Sequence, residues 1–595
     1  MRESVDTPAD SDGQRPAAAT APLLVSFALG FLFGAGPFSR WQVAVESAQV
    51  LAGTVEYPEG NAFFEYHLKA WTLLIQALAP WLAIGISERA LSILLSGLMG
   101  GLSFVALTLC AYALCRRPLI AVLAPLFTLA LFGDADQYGV IYPVHMIGTE
   151  HTYGVIGRAM ALLPLSMLAT RHKRTAALLL GIAPAIHPTW GAWSVLIAAI
   201  ALAWEGPRSL PALKKLAPWF AAGVAVSVAS LAYQLLRARG LTEVDPATQA
   251  AHLEAFFTHW DFHRRPVTMR APGIYLAAAS VVLSIVWLTA FRRDNSREAA
   301  FMHRVLLISG TLGFVGCAAT WIPDLLPDIV NMAMPGRFLN LSIFAMPALV
   351  LGLLGRYQQY LAVKVLLLLH LAYVCWNWFF LSVLSSDRFG WSLDHWKEFL
   401  TIGTALVLAR VFASRIPRND RVHLLAQRAH APALVVILLI FAVGILVLET
   451  ANRKALFTST PDPVLETARR QDGLLITAGA MQFVQLRTGR PLLLNVGALD
   501  QLSIVPSSGP EMARVLNRVY GIDLFNPPDE IKKARPGALL PESGRETWEA
   551  RSVPEWQQIA REFDAWDVLA YVDWQLQISE IAQNDDFALY RIPKP

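Results

Sequence analysis

Apolar runs of about 16–24 residues recur along this chain from Leu23 almost to Leu448, separated by loops that alternate in charge. One set of loops carries Arg and Lys clusters: Arg171/Lys173/Arg174, Arg208/Lys214/Lys215, Arg292/Arg293/Arg297/Arg304, Arg356 and Arg415/Arg418/Arg421/Arg428. The other set carries acids, most of the histidines and tryptophan. A bilayer core takes roughly 20 apolar residues per helix, and basic loops favour the cytoplasmic side. The pattern therefore predicts about thirteen transmembrane helices. They fall near 23–38, 91–114, 118–133, 154–170, 174–187, 190–205, 216–236, 272–291, 303–321, 337–355, 361–383, 397–413 and 432–449. The N terminus is expected inside and the C terminus outside. Between the first two spans, residues 39–90 form a long outer loop. The stretch His67 to Ile86 reads as a helix, but Lys69, Gln76 and Pro80 make it a poor span, so it is expected to lie in the interface.

The pattern changes after residue 450. Leu474–Thr477, Leu492–Asn495, Asp567–Val572 and Phe587–Ile592 read as short strands with helical stretches among them. The expected organisation is a disordered cytoplasmic leader (1–21), an all-α polytopic membrane domain (22–450) and a small, separate α/β soluble domain (451–595) outside the membrane. Composition agrees: 55% of the 595 residues are hydrophobic and 16% charged, too apolar for one soluble globule. The net charge of +4 divides unevenly. Residues 450–595 hold 16 Lys/Arg and 19 Asp/Glu, so the basic surplus lies in the membrane part's short loops, which argues against nucleic-acid binding. The four cysteines, Cys110, Cys115, Cys317 and Cys375, lie in or beside apolar runs and form no CxxC pair, so neither a disulfide framework nor a zinc site is expected. No phosphate loop, dinucleotide fingerprint, Gly-x-Ser-x-Gly or HExxH stands in its required context.

Candidate chemistry gathers in the acidic loops. Glu46 follows the first span by a few residues, where a carboxylate can serve as general base at the membrane surface or simply be solvated. Asp134 and Asp136, with Glu150 and His151 at the mouth of the next span, could hold a divalent cation, Mg or Mn, or punctuate two spans. Arg158 lies inside an apolar helix, where a guanidinium costs about 2.5 kcal/mol or more on insertion scales. It therefore calls for an anionic partner: Glu150, Asp136 or the phosphate of a lipid ligand. His187, before Pro188, reads as a substrate-contacting or a packing histidine. Arg337, opening a span at Met334-Pro335-Gly336, reads as a phosphate ligand or as a snorkelling side chain. His259-x-Asp261-x-His263 has a metal-like look but no standard ligand spacing.

The layout resembles the GT-C class of integral-membrane glycosyltransferases. The resemblance is carried by the Arg40–Ala90 loop with Glu46, the Asp134/Asp136 loop and the outer tail. Within that tail, Leu486-Arg487-Thr488-Gly489-Arg490-Pro491, Trp548-Glu549-Ala550-Arg551, Glu555-Trp556 and Ala588-Leu589-Tyr590-Arg591-Ile592-Pro593 look like tails on bacterial proteins of this kind. The resemblance implies a polyprenyl-phosphate sugar donor, an envelope glycan, lipid or protein acceptor, and an inner-membrane location in a bacterium. It makes Glu46 the base and Asp134 and Asp136 its acidic partners, with or without metal. Arg158, Arg337 and His187 would then contact the donor's phosphate. Two other classes remain open: a transporter or flippase of a lipid-linked or anionic solute, and a non-catalytic envelope assembly protein. The first lacks visible repeat halves.

Overall fold

A computed structural model describes residues 17–595 except 70–71, 132–138, 171, 207–209, 240–242, 262–265, 268–271, 323–329, 331–332, 359, 385–419, 480–482, 495–498, 500–501 and 534–541. The protein is mostly helical, with one small mixed sheet near its C terminus. Helices α1 (Ala17–Ala35), α2 (Val43–Ala52), α3 (Ala62–Lys69), α4 (Leu73–Ala83), α5 (Glu88–Cys115), α6 (Pro118–Leu131), α7 (Thr152–Ala169) and α8 (Lys173–Ile186) come first. They are followed by α9 (Pro188–Ala203), α10 (Leu210–Arg237), α11 (Pro246–Ala255), α12 (Pro272–Thr289), α13 (Arg297–Ala319), α14 (Leu339–Arg356), α15 (Leu361–Leu384) and α16 (Asp420–Asn452).

Among the described residues six helices are long and apolar enough to cross a membrane: α5, α7, α10, α13, α14 with the turn before it, and α16. That marks a membrane-embedded protein with fewer full-length spans than the thirteen expected. The physical reason is length. Stretches such as α1, α6, α9 and α12 are apolar but shorter, and α8 ends after 14 residues where His187-Pro188 interrupts it. The expected span 397–413 lies outside the described residues. Burial sorts the six: the α14 segment is wholly enclosed, whereas α10 and α16 turn residues such as Leu235 and Ile440 outward.

α5 is the hub, packed against α1, α6, α7, α13 and α14. Its contact with α1 is backbone to backbone. A Cβ on Gly34 would lie 2.1 Å from the Ser96 carbonyl oxygen, and one on Gly30 2.4 Å from that of Gly100. Gly97 and Gly101 in turn receive the rings of Phe31 and Phe27. Small residues four apart on both helices permit this approach, and dispersion between the backbones is the gain.

The 39–90 segment folds onto this bundle. The helix read over 67–86 is two helices, α3 and α4, because the Thr72 hydroxyl caps α4 by accepting from the Leu74 amide at 3.2 Å. Gln76, polar on an otherwise apolar helix, donates to the Ser230 carbonyl (2.9 Å) and to the Gln234 side chain (3.1 Å) on α10. Lys69 pairs with Glu65 at 2.9 Å and reaches Ser507 of the tail.

The tail's sheet has strands β1 (Leu475–Thr477), β2 (Asp567–Tyr571), β3 (Ser579–Gln583) and β4 (Phe587–Arg591) in the order β1-β2-β4-β3, with β1 parallel to β2 and the rest antiparallel. The expected strand at 492–495 contributes a single bridge, Leu475 to Leu492. The unexpected strand, β3, is an exposed polar edge with no apolar alternation to betray it. Asp567 is buried between Arg490 (2.8 Å) and Arg591 (2.9 Å), while Trp548, Trp556 and Trp574 pack edge to face behind the sheet. The tail core also takes in Phe63 of α3 and Phe256 and Trp260 after α11, and the Trp260 indole donates to the Leu524 carbonyl at 2.8 Å.

Gly34→Ala is expected to lower the stability of the purified protein by about 1–3 kcal/mol, because one methyl forces two backbones apart. The thermal midpoint in detergent reads this, and an unchanged midpoint would mean that α1 is not held at backbone distance.

Candidate functional site

The chain leaves α1 through Ser39 and Arg40 and is fastened at once. The Ser96 hydroxyl of α5 accepts from the Arg40 amide (3.2 Å), and buried Gln42 donates to Ser96 (3.0 Å) and to the Thr149 carbonyl (2.9 Å). The Thr152 hydroxyl completes the amide by donating to it at 2.7 Å. These bonds launch α2, whose residues from Ala44 to Leu51 are all buried. It is enclosed by α4, α5 and α7 below and by the tail helix α17 (Val484–Thr488) above.

Glu46 lies in the first turn of α2, 4% exposed, and its Oε1 finds no hydrogen-bond partner. Burial pushes its pKa up to about 8. The tail closes over it: the Gln485 amide donates to the Glu46 carbonyl at 3.0 Å, and the Tyr57 hydroxyl donates to Gln485 at 2.6 Å. Beside Glu46, the Ser47 hydroxyl meets His67 Nδ1 at 3.0 Å and accepts from Tyr153 at 3.4 Å. His67 is buried with Nε2 unpartnered, and burial lowers its pKa to about 3, so the ring stays neutral. Sequence reasoning singled out Glu46 but missed His67, Tyr57, Tyr153 and Gln485. Their only local signal was a histidine and a tyrosine in an acidic loop.

A second group surrounds residues 139–151. Asn340, at the start of α14, clamps the loop from both sides of Ile141: its Oδ1 accepts from the Val140 amide at 2.8 Å, and its Nδ2 donates to the carbonyls of Val140 (3.1 Å) and Tyr142 (3.0 Å). Ile141 itself has φ +66°, a region that a β-branched residue enters only under constraint. Met334, before the turn Pro335–Phe338, and Phe483, before α17, are likewise left-handed. Three of the chain's strained non-glycine positions thus flank the candidate residues.

Arg158 donates to the Pro143 carbonyl at 3.3 Å and to the His145 carbonyl, and stacks 5.0 Å from the Phe344 ring. The anionic partner expected for it is not Glu150, whose carboxylate lies 3.5 Å from His151. Among the described residues, carbonyl oxygens and a ring face meet the guanidinium; Asp136, the other expected protein partner, lies outside them. His187 ends α8 and lies on Gly157, where a Cβ would meet its ring at 2.8 Å. Arg337 sits 4.8 Å over the Tyr142 ring, and the Phe338 ring beside it packs against Trp193 at a tilt of 45°, centroids 3.7 Å apart. Arg158 and Arg337 are thereby brought to one loop and His187 lies against α7, while Glu46 stands apart, joined to α7 through Ser47 and Tyr153.

Asp134 and Asp136 lie outside the described residues. Among the described residues no three His, Cys, Asp or Glu side chains gather to hold a metal ion. Trp260, within the His259-x-Asp261 stretch, is a docking residue for the tail, and His263 lies outside the described residues. The chain matches no protein-family model and no curated protein.

Two outcomes follow. Asn340→Ala should raise amide exchange across 139–146 while leaving α5 and α14 protected; unchanged exchange there would mean the loop is held by other bonds. For Glu46, the unfolded chain ionises near 4.5 and the folded one near 8, so folding stability falls as pH rises through that window. Glu46→Gln should therefore gain thermal stability over the parent between about pH 5 and 8 and no further above it; a constant offset at all pH values would contradict the raised pKa.

Proposed function

We propose that the protein is a membrane-embedded glycosyltransferase acting on a polyprenyl-phosphate sugar, with Glu46 as proton acceptor. In this reading the thirteen-span topology holds, the tail faces away from the cytoplasm in the inner membrane of a bacterium, and the end of the bundle beneath the tail is the outer interface. The observation that carries it is Glu46 itself. A carboxyl enclosed without a partner, in the first helix after the first apolar segment, is kept there at a cost in stability that a structural role does not require.

An acceptor hydroxyl gives its proton to the Glu46 carboxylate as its oxygen bonds the anomeric carbon. The bond from that carbon to the phosphate oxygen breaks, and polyprenyl phosphate leaves with the electron pair. A base with a pKa near 8 is strong when ionised, and the Tyr57–Gln485 lid keeps water from competing for it. Arg337, with His187 behind it, is the cation proposed for the departing phosphate. Arg158, already spent on carbonyls, positions the loop that continues from Asp134 and Asp136. Those two acids would hold a divalent cation if the reaction uses one.

The test is transfer from a panel of polyprenyl-phosphate sugars by the full-length protein in nanodiscs. Turnover should climb with pH to a plateau above about 8 and fall about a hundredfold or more in Glu46→Gln. Parent-like turnover in Glu46→Gln, or no transfer from any donor of the panel, would overturn the assignment.

A further inference from the structure

Away from Glu46, a cleft of about 410 Å³ opens where the membrane bundle meets the tail, a volume in the range of small-molecule sites. Three helix ends converge on it: the exit of α1 at Ser39 and Arg40, the start of α5 at Ser87 to Arg89, and the exit of α16 at Lys454 to Leu456. The tail supplies the opposite wall, including Arg469 and Arg487. Leu456 ties the walls together by donating its amide to Ser39, at 2.9 Å to the hydroxyl.

Five cations line this space beside three carboxylates, Glu88, Asp462 and Glu466. Among the described residues no carboxylate lies at ion-pair distance from Arg40, Arg89, Lys454 or Arg469; Arg487 alone has Asp462, at 3.5 Å. Asp462 is in addition occupied as a helix cap, accepting from the Val464 and Leu465 amides. Arg40 and Arg89 are held rigid by carbonyls: Arg40 donates to Ser39 (2.9 Å) and Lys454 (3.1 Å), Arg89 to Leu456 (2.6 Å) and Ser459 (2.8 Å). Carbonyls orient a guanidinium without neutralising it. Burial, and then the nearby Arg453, hold the Arg40 pKa below its ordinary value against the opposing pull of Glu150 and Glu449, and burial does the same for Arg487 against Asp462 and Glu466.

The remaining lining is of another kind: the ring of Trp41, the hydroxyls of Ser87 and Thr460, and the carboxylates of Glu88 and Glu466. Oriented arginines suit a phosphate, whereas an aromatic face with hydroxyls and carboxylates suits a polyol.

We propose that this cleft binds a phosphate-bearing polyol, with the phosphate on the cationic side chains and the hydroxyls on the Ser, Thr and Glu side chains. The ligand is either a lipid headgroup, since α5 and α16, two of the helices long and apolar enough to span, end at this cleft, or a soluble phosphopolyol. The site does not depend on the glycosyltransferase reading, since Glu46 is not part of it.

The experiment uses the full-length protein in phosphatidylcholine nanodiscs. In one arm, glycerol 1-phosphate is titrated and followed by thermal shift. In the other, nanodiscs doped with phosphatidylinositol are analysed by native mass spectrometry for retained lipid. The variant is Lys454→Gln with Arg469→Gln, two exposed side chains; the control removes equal charge at Lys214 and Lys215 on α10. A shift with glycerol 1-phosphate that weakens by about tenfold or more in the variant but not the control supports a soluble ligand. Retention of phosphatidylinositol lost only in the variant supports a headgroup. Binding that is absent in both arms, or equal in variant and parent, overturns the proposal. Glu46→Gln should bind as the parent does, so failure of transfer and failure of binding are read separately.

Discussion

Everything at the tail end of this molecule hangs on the backbone contact between α1 and α5. Because Gly30 and Gly34 meet Gly100 and Ser96 with no side chain between them, the chain leaves α1 directly against α5. Ser96 can then accept the Arg40 amide and the Gln42 side chain, and α2 starts from that anchor. A wider crossing would break those bonds, release α2, and take from the tail the Ser39 anchor for Leu456. One steric allowance thus fixes the position of Glu46 and of the cleft beside Arg40.

Arginine is used in this fold in three distinct settings. Arg490 is buried against the carboxylate of Asp567, where charge compensates charge. Arg158 is buried among carbonyls and the Phe344 ring; its two terminal nitrogens donate to Pro143 and His145 and hold the loop there, while its Nε finds no hydrogen-bond partner. Arg40 and Arg89 are also held by carbonyls, but at the rim of an open space. The same bond type is structural when enclosed and a presented charge when it faces a cleft. Ile141 shows the backbone counterpart: its left-handed conformation is held by the two-sided clamp of Asn340 on Val140 and Tyr142.

Much of the helical architecture was legible from hydrophobic runs, since burial in lipid or in a helix bundle demands apolar residues wherever the chain passes. Length was less legible, because an apolar run such as 174–187 signals burial but not whether the helix is long enough to span. Glu46 was legible as an acid near the membrane surface; that it is enclosed without a partner was not, because its cover, Gln485, is more than 400 residues away in the chain. Arg158 was legible as an anomaly, but the carbonyl groups of Pro143 and His145 that meet it were not, for carbonyl groups leave no mark on a sequence. The edge strand β3 was silent for a related reason: an exposed edge needs no apolar alternation.

The sequence by itself determined a membrane-embedded helical chain, a mixed α/β tail and the asymmetry of charge between its loops, all properties set by transfer of side chains between water and an apolar phase. Only the tertiary structure decided that the tail's core is completed by Phe63 and Trp260 of the membrane part, that Glu46 lies beneath Gln485, and that Arg40, Arg89 and Lys454 share one cleft. Those are pairings between segments distant in sequence. Each depends on backbone positions fixed by packing, which no local pattern of residues encodes.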